Sequence, residues 1–280
     1  METTIILDTL CFGEGPRWHD GAIYFSDMHA EKVLRVAADG SVTDVVHVPN
    51  LPSGLGWLPN GDMLVVSMTD RKLMRFDGTT LHEHADLSAM AGWDCNDMVV
   101  DAQGRAYVGN FGYDLHGGSE ATTANLVCVE PDGAARIVAN ELNFPNGAII
   151  TQDGKTLVVG ESFAGHLTAF DIDANGDLSN RRIWADLPGE SVPDGICLDV
   201  EGGIWVCSPY TREVMRVAEG GEITHKFATE QLAIACALGG DDGKTLYVLT
   251  SEVTDPDECR ATPTARLLTT TAPFAGAGSP

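Results

Sequence analysis

Apolar and polar residues alternate with a period of two along almost the whole chain. The runs are short, as in Ile23-Tyr24-Phe25, Met63-Leu64-Val65-Val66, Ala106-Tyr107-Val108, Thr156-Leu157-Val158-Val159, Ile204-Trp205-Val206 and Thr245-Leu246-Tyr247-Val248. Alternation over so few residues is the pattern of a strand, not of a helix. Asp-Gly or Asn-Gly pairs punctuate the runs at Asp20-Gly21, Asn60-Gly61, Asp153-Gly154 and Asp242-Gly243, where the left-handed backbone of a tight hairpin is easily reached. No long amphipathic helix is expected, and residues 86–90 would form one helical turn at most. Each run is followed by a third strand, near residues 32–37, 72–77, 125–130, 166–172 and 213–218. A fourth often follows, near 42–48, 135–139 and 223–228. Units of four strands, recurring six times at a spacing of about 40–50 residues, predict an all-β, six-bladed β-propeller with four-stranded blades. Closure requires residues 3–7 to pair beside residues 265–271, so that N- and C-terminal strands share one blade and no edge is left unpaired. A single domain over residues 1–280 is expected, with the tail 275–280 carrying no role.

Each unit opens with an apolar strand that ends in a turn Gly. The first residue of this motif lies about eight positions before that Gly, and the six equivalent positions hold Glu14, Ser53, Asn96, Asn146, Asp194 and Ala235. Inner strands of a propeller run side by side around its axis, so these side chains are expected to converge at one mouth of the channel. An Asn or Asp before Gly is common in turns for local reasons. Four polar residues in one register are better explained by a shared ligand. Two buried carboxylates without a cation would force one to protonate, and all-oxygen ligation selects a hard ion such as Ca²⁺, Mg²⁺ or Mn²⁺. Loops at residues 26–29, 68–71, 111–123, 161–165, 208–211 and 251–255 should ring the same mouth. The third, with Gly112, Gly117 and Gly118 as hinges, is expected to act as a lid.

Composition narrows the function. The chain has 280 residues, 44% hydrophobic, and a formal charge of −24 with only 17 Lys and Arg. Such a surface repels phosphate backbones, so no nucleic-acid partner is expected, and anionic substrates are disfavoured unless a cation screens them. No run is long enough for a membrane helix, and the start, Met1-Glu2-Thr3-Thr4, lacks the basic segment of an export signal. With seven cysteines in no CxxC spacing, reduced thiols and a cytoplasmic location are expected, without a membrane partner. Eight His are scattered and no Gly-x-Ser-x-Gly elbow accompanies them. His29 and His116 fall on the mouth loops, as surface or lid residues with proton transfer as the alternative.

Over nearly its whole length the chain resembles the SMP-30/gluconolactonase/luciferin-regenerating-enzyme family. The likeness is carried by Gly13-Glu14-Gly15-Pro16-Arg17-Trp18, Asn96-Asp97 with Gly104, Phe144-Pro145-Asn146-Gly147, Val192-Pro193-Asp194-Gly195 and Gly202-Gly203-Ile204-Trp205. The resemblance implies a metal-dependent lactonase in which Glu14, Asn146 and Asp194 hold one divalent cation and Asn96 contacts the substrate. Ca²⁺ is the first expectation, with Mg²⁺, Mn²⁺, Zn²⁺ or Fe²⁺ as alternatives. The cation would polarise the lactone carbonyl, Asp194 would act as general base, and the product would be a hydroxy acid. One position departs from the family: where its sugar-lactonase branch often has Arg, two residues before Asn96, this chain has Asp94. An anion there, with Trp93, Phe111, Tyr113, Phe144, Phe163 and Tyr210 nearby, suits a more apolar or aromatic lactone. Asp94, Asn96, Tyr113 and Glu161 are therefore expected on the substrate side. A phosphotriesterase-like hydrolase would use the same cation, whereas a non-catalytic binding propeller would need no polar ring; a strictosidine-synthase-like condensing enzyme is a further alternative. The expected partner is a small-molecule lactone, and the expected assembly a monomer or small homo-oligomer.

Overall fold

A computed structural model describes residues 1–115 and 117–278, so His116 lies outside the described residues. Its strands form six four-stranded antiparallel sheets. The inner strands are Gly13–His19, Pro52–Trp57, Cys95–Val100, Pro145–Ile150, Ile196–Leu198 and Leu232–Gly239. Each touches the next, and the last touches the first, so the sheets close into a six-bladed propeller. The sixth blade is sealed as expected: Thr4–Leu10 pairs antiparallel with Ala265–Thr271, joining the two ends of the chain.

The period-two pattern folds this way because each sheet is covered on both faces. In blade five, Ile204 and Val206 pack towards blade four with Ile149 and Val158, while Trp205 and Cys207 pack towards blade six with Cys236 and Val248. Alternate side chains thus enter alternate inter-blade cores, which is why the central strands read as near-continuous apolar runs. Among the described residues all seven cysteines are free thiols, six of them buried.

Three details differ from the sequence expectation. Outer strands Leu81–Asp86 and Leu178–Asp186 were not anticipated, since much of each faces solvent and the apolar alternation fades. A short helix, Pro256–Ala261, was also unanticipated. It is started by Asp255, whose side chain accepts from the backbone N–H groups of Asp257 and Glu258, with Pro at the first turn; that capping pattern was legible in the sequence. The tail also has a role. Ala275 O accepts from Val200 N at 2.9 Å, Ala277 N donates to Leu198 O at 3.0 Å, and Gln152 Nε2 donates to Ala277 O at 3.1 Å. The segment therefore crosses the turn ends of blades six, five and four, at the rear of the channel. No helix among the described residues is long and apolar enough to cross a membrane.

Candidate functional site

A backbone irregularity recurs at the ring positions. Pairing between inner and second strands slips between Glu14 and Arg17, Pro52 and Leu55, Cys95 and Met98, Pro145 and Ala148, and Ala233 and Ala235. A slip of this kind bends the strand and redirects a side chain out of the sheet, here towards the axis. The Gly that follows the ring residue serves a different purpose from turn formation. A Cβ on Gly147 would lie 2.5 Å from Asp194 O, and one on Gly195 would lie 2.4 Å from Ala235 Cβ. Neighbouring inner strands come this close because those residues lack a side chain. The backbone then bonds across the gap, Gly147 N to Asp194 O at 3.2 Å and Gly195 N to Ile234 O at 2.9 Å.

The ring residues meet at the floor of a cavity of about 250 Å³, lined by Glu14, Asn96, Asn146 and Asp194. Ser53 lies behind it, with its Oγ donating to Asn96 Oδ1 at 3.4 Å. Asn96 Nδ2 donates to Asn146 Oδ1 at 3.0 Å, and Asn146 Nδ2 donates to Ser162 Oγ at 3.2 Å. Glu14 is buried and Asp194 partly so. Burial first, and then the neighbouring Asp194 and Asp97 charges, push the Glu14 carboxyl well above its ordinary range. Burial, with Asp97 and Cys236 adding, pushes Asp194 up to about 8.

No Lys or Arg lines this cavity among the described residues. Arg17, whose charge is felt at Glu14, is already engaged: it donates to Asp97 Oδ1 at 2.8 Å, to Met98 O at 2.6 Å and to Pro16 O at 2.8 Å. A buried and a half-buried carboxylate, the first raised by the charge of the second, with no Lys or Arg among the described lining residues, fit a bound divalent cation. Among the described residues no three His, Cys, Asp or Glu side chains gather as a metal cluster. The donor set is therefore two carboxylates supplemented by carboxamide oxygens, which suits a hard, oxygen-seeking ion. Asn146 Oδ1 keeps one lone pair after accepting from Asn96.

Of the residues expected on the substrate side, Asn96 and Asp94 line the cavity; Tyr113 and Glu161 do not. Tyr113 packs edge-on against the lining residue Phe144, their ring centroids 6.5 Å apart. Glu161 is fully buried, accepting from Asn143 N at 2.7 Å, Thr168 Oγ1 at 2.6 Å and Arg181 at 2.8 Å. Burial alone would raise its pKa, but those three partners hold it below the usual carboxylate range. It is an anchor for the segment before Asn146, not a contact surface. The same device recurs where other second strands end. Asp27 accepts from Phe12 N at 2.9 Å, Asn110 from Gly92 N at 3.2 Å, and Ser208 from Val192 N at 3.1 Å. The sequence signal for these anchors is a polar residue closing each second strand. Trp93, Phe111, Phe163 and Tyr210 divide similarly: the last three line the cavity and Trp93 does not. His29 lines it as well.

Comparisons with known proteins identify the family and the fold. The family described as "SMP-30/Gluconolactonase/LRE-like region" matches residues 12–252. Regucalcin of Danio rerio is 26% identical over 251 residues, covering 86% of this chain and 83% of its own. Pentonolactonase XacC of Haloferax volcanii is 25% identical over 257 residues, covering 90% and 86%. The crystal structure of a calcium-binding protein, regucalcin from Agrobacterium tumefaciens, shares the fold with a TM-score of 0.80 at 20% identity, covering 98% of this chain and 94% of that one.

Proposed function

The chain belongs to the SMP-30/Gluconolactonase/LRE-like family, and from that premise we propose that it hydrolyses a lactone to its hydroxy acid with the help of one divalent cation, Ca²⁺ first among the candidates. The observation that carries the proposal is the pair Glu14 and Asp194, one buried and one half-buried, on the cavity floor with no Lys or Arg lining it among the described residues. Similarity to a pentonolactonase supports the reaction, and similarity to a calcium-binding regucalcin supports the ion.

Glu14, Asn146 and Asp194 would hold the cation, which when bound supplies Lewis-acid polarisation of the ester carbonyl. Asn96 orients the substrate: its side chain is fixed between Ser53 and Asn146, so its amide can meet a polar group of the lactone without adding charge. Asp194 accepts the proton of the attacking water on its carboxylate and returns it to the departing ring oxygen as the C–O bond opens. Ser162 braces this arrangement, its Oγ donating to Pro193 O at 2.7 Å while accepting from Asn146.

The test is a hydrolysis assay on a panel of lactones plus one phosphotriester, run with Ca²⁺ and with excess chelator. Lactone hydrolysis that disappears on chelation and returns with Ca²⁺ is the expected result. Hydrolysis of the phosphotriester alone would reassign the reaction. Absence of any hydrolysis would leave a binding propeller.

A further inference from the structure

The polar ring has an apolar counterpart one step nearer the mouth. The residues two positions before Glu14, Ser53, Asn96, Asn146 and Asp194 are Phe12, Leu51, Asp94, Phe144 and Val192, and all five line the cavity. Four of the five are apolar. Resting on the lactonase reading, we propose that the substrate is a lactone bearing an uncharged apolar substituent, an alkyl chain or aryl group, which this upper ring receives while the ester lies on the polar floor.

Four further observations bear on this assignment. First, second-strand anchors bond the backbone at two ring residues and beside a third: Asp27 accepts from Phe12 N, Ser208 from Val192 N, and Glu161 from Asn143 N next to Phe144. Second, Leu51 and Phe144 adopt φ of 61° and 60°. That left-handed conformation is strained for side chains of their bulk, and strain of this kind gathers at ligand clamps. Third, aromatic rings extend the wall outwards, Phe144 lying 4.5 Å from Phe111 and 4.8 Å from Phe163. At the rim Phe163 is 47% exposed and Tyr210 70% exposed. Large exposed apolar side chains at the lip of a concave site mark a surface that awaits a ligand. Fourth, the Phe, Leu and Val side chains of the upper ring offer no hydrogen-bond partner to a carboxylate or phosphate substituent, whose burial against them is costly. A polyhydroxylated ring would likewise bring hydroxyls against Phe, Leu and Val side chains that cannot bond them, which is costly.

The experiment compares kcat/KM, with Ca²⁺ present, for γ-butyrolactone, γ-hexanolactone, γ-octanolactone and γ-phenyl-γ-butyrolactone against glucono-δ-lactone and a carboxylate-bearing γ-lactone. Each methylene buried should raise kcat/KM roughly threefold to fourfold, and the polyhydroxylated and anionic compounds should rank lowest. Phe163→Ala, at an exposed rim position that the fold tolerates, should lower the ratio of octano- to butyrolactone activity several-fold. A flat alkyl series, or glucono-δ-lactone as the best substrate, would overturn the substrate class while leaving lactone hydrolysis intact. Hydrolysis of none of them would overturn the underlying reaction and this proposal with it.

Discussion

Asp101 and Asp199 lie at the turns that end their inner strands, whereas Glu14 and Asp194 lie where theirs begin, and the two ends of the channel treat a buried carboxylate in opposite ways. At the rear, Asp199 Oδ1 accepts from Glu201 N and Gly203 N, both at 3.0 Å, and Arg216 grips the carboxylate at 2.6 and 2.9 Å. Asp101 repeats the pattern with Gln103 N, Arg105 N and the Arg105 guanidinium. Arg216 also lies over Phe274, 4.6 Å from its ring centroid, in the segment leading into the tail that covers this end. At the front, Glu14 has one backbone donor, Gly15 N at 3.1 Å, and no guanidinium of its own among the described residues. Carboxylates at the rear are satisfied within the chain and hold the fold together. Those at the front lack such partners among the described residues, so burial and neighbouring charges penalise their ionisation, an arrangement that makes sense for a ligand brought from outside.

The largest effect should come from breaking the rear. Arg216→Met removes the partner of Asp199, whose side chain is fully buried, and should destabilise the protein by about 3–5 kcal/mol, the usual cost of an orphaned buried charge. Denaturant unfolding measures it. Hydrolysis per folded molecule should be unchanged, because Arg216 lies at the other end of the channel from the floor residues. A loss below about 1 kcal/mol would mean that the rear pairs are no firmer than surface ones, and the contrast between the two ends would vanish.

The front should respond in the reverse sense. Asp194→Asn relieves repulsion with Glu14 and Asp97, so in chelator the variant should be as stable as the parent or more so. Its kcat should fall by at least ~10²-fold, the low end of a general-base contribution. Full activity with the cation still bound, measured by metal analysis of the same sample, would remove Asp194 from the proton-transfer role.

These opposite behaviours were only partly legible beforehand. The blades and the polar ring could be read because both depend on spacing: alternation places side chains in the inter-blade cores, and a fixed distance to the turn Gly places Glu14, Asn96, Asn146 and Asp194 at one level. The upper ring obeys the same spacing, two residues earlier, but becomes visible only once the strands are seen side by side. Glu161 shows what spacing cannot supply. A carboxylate at the end of a second strand can face the cavity or the preceding loop, and the choice depends on Arg181, Thr168 and the loop's own N–H groups, which come from other parts of blade four. The outer strands 81–86 and 178–186 escaped for the opposite reason, since faces turned to water impose no period. The tail escaped because its contacts are mostly backbone bonds, to which composition is nearly blind.

The smallest effect sharpens the comparison most directly, because the difference between chelator and Ca²⁺ isolates the front. Asp194 is pushed up to about 8 in the folded chain by burial first, and Glu14 is raised with it. Between the unfolded carboxylate pKa, about 4, and that value, the native state keeps protons that the unfolded state has released. Stability in chelator must therefore fall as pH rises through this window and level off above it. His84 works against that fall: burial holds its pKa down, so its contribution grows as pH rises towards the unfolded His value. Saturating Ca²⁺ favours the ionised front carboxylates and should flatten the fall, while leaving the His84 contribution as it was. Melting temperatures recorded from pH 5 to pH 8 should thus drop by an amount on the order of a few degrees in chelator and by much less with Ca²⁺. A slope that is the same in both, or that rises with pH in chelator, would show that Glu14 and Asp194 do not face each other without a partner, and the distinction between the two ends of the channel would lose its electrostatic basis.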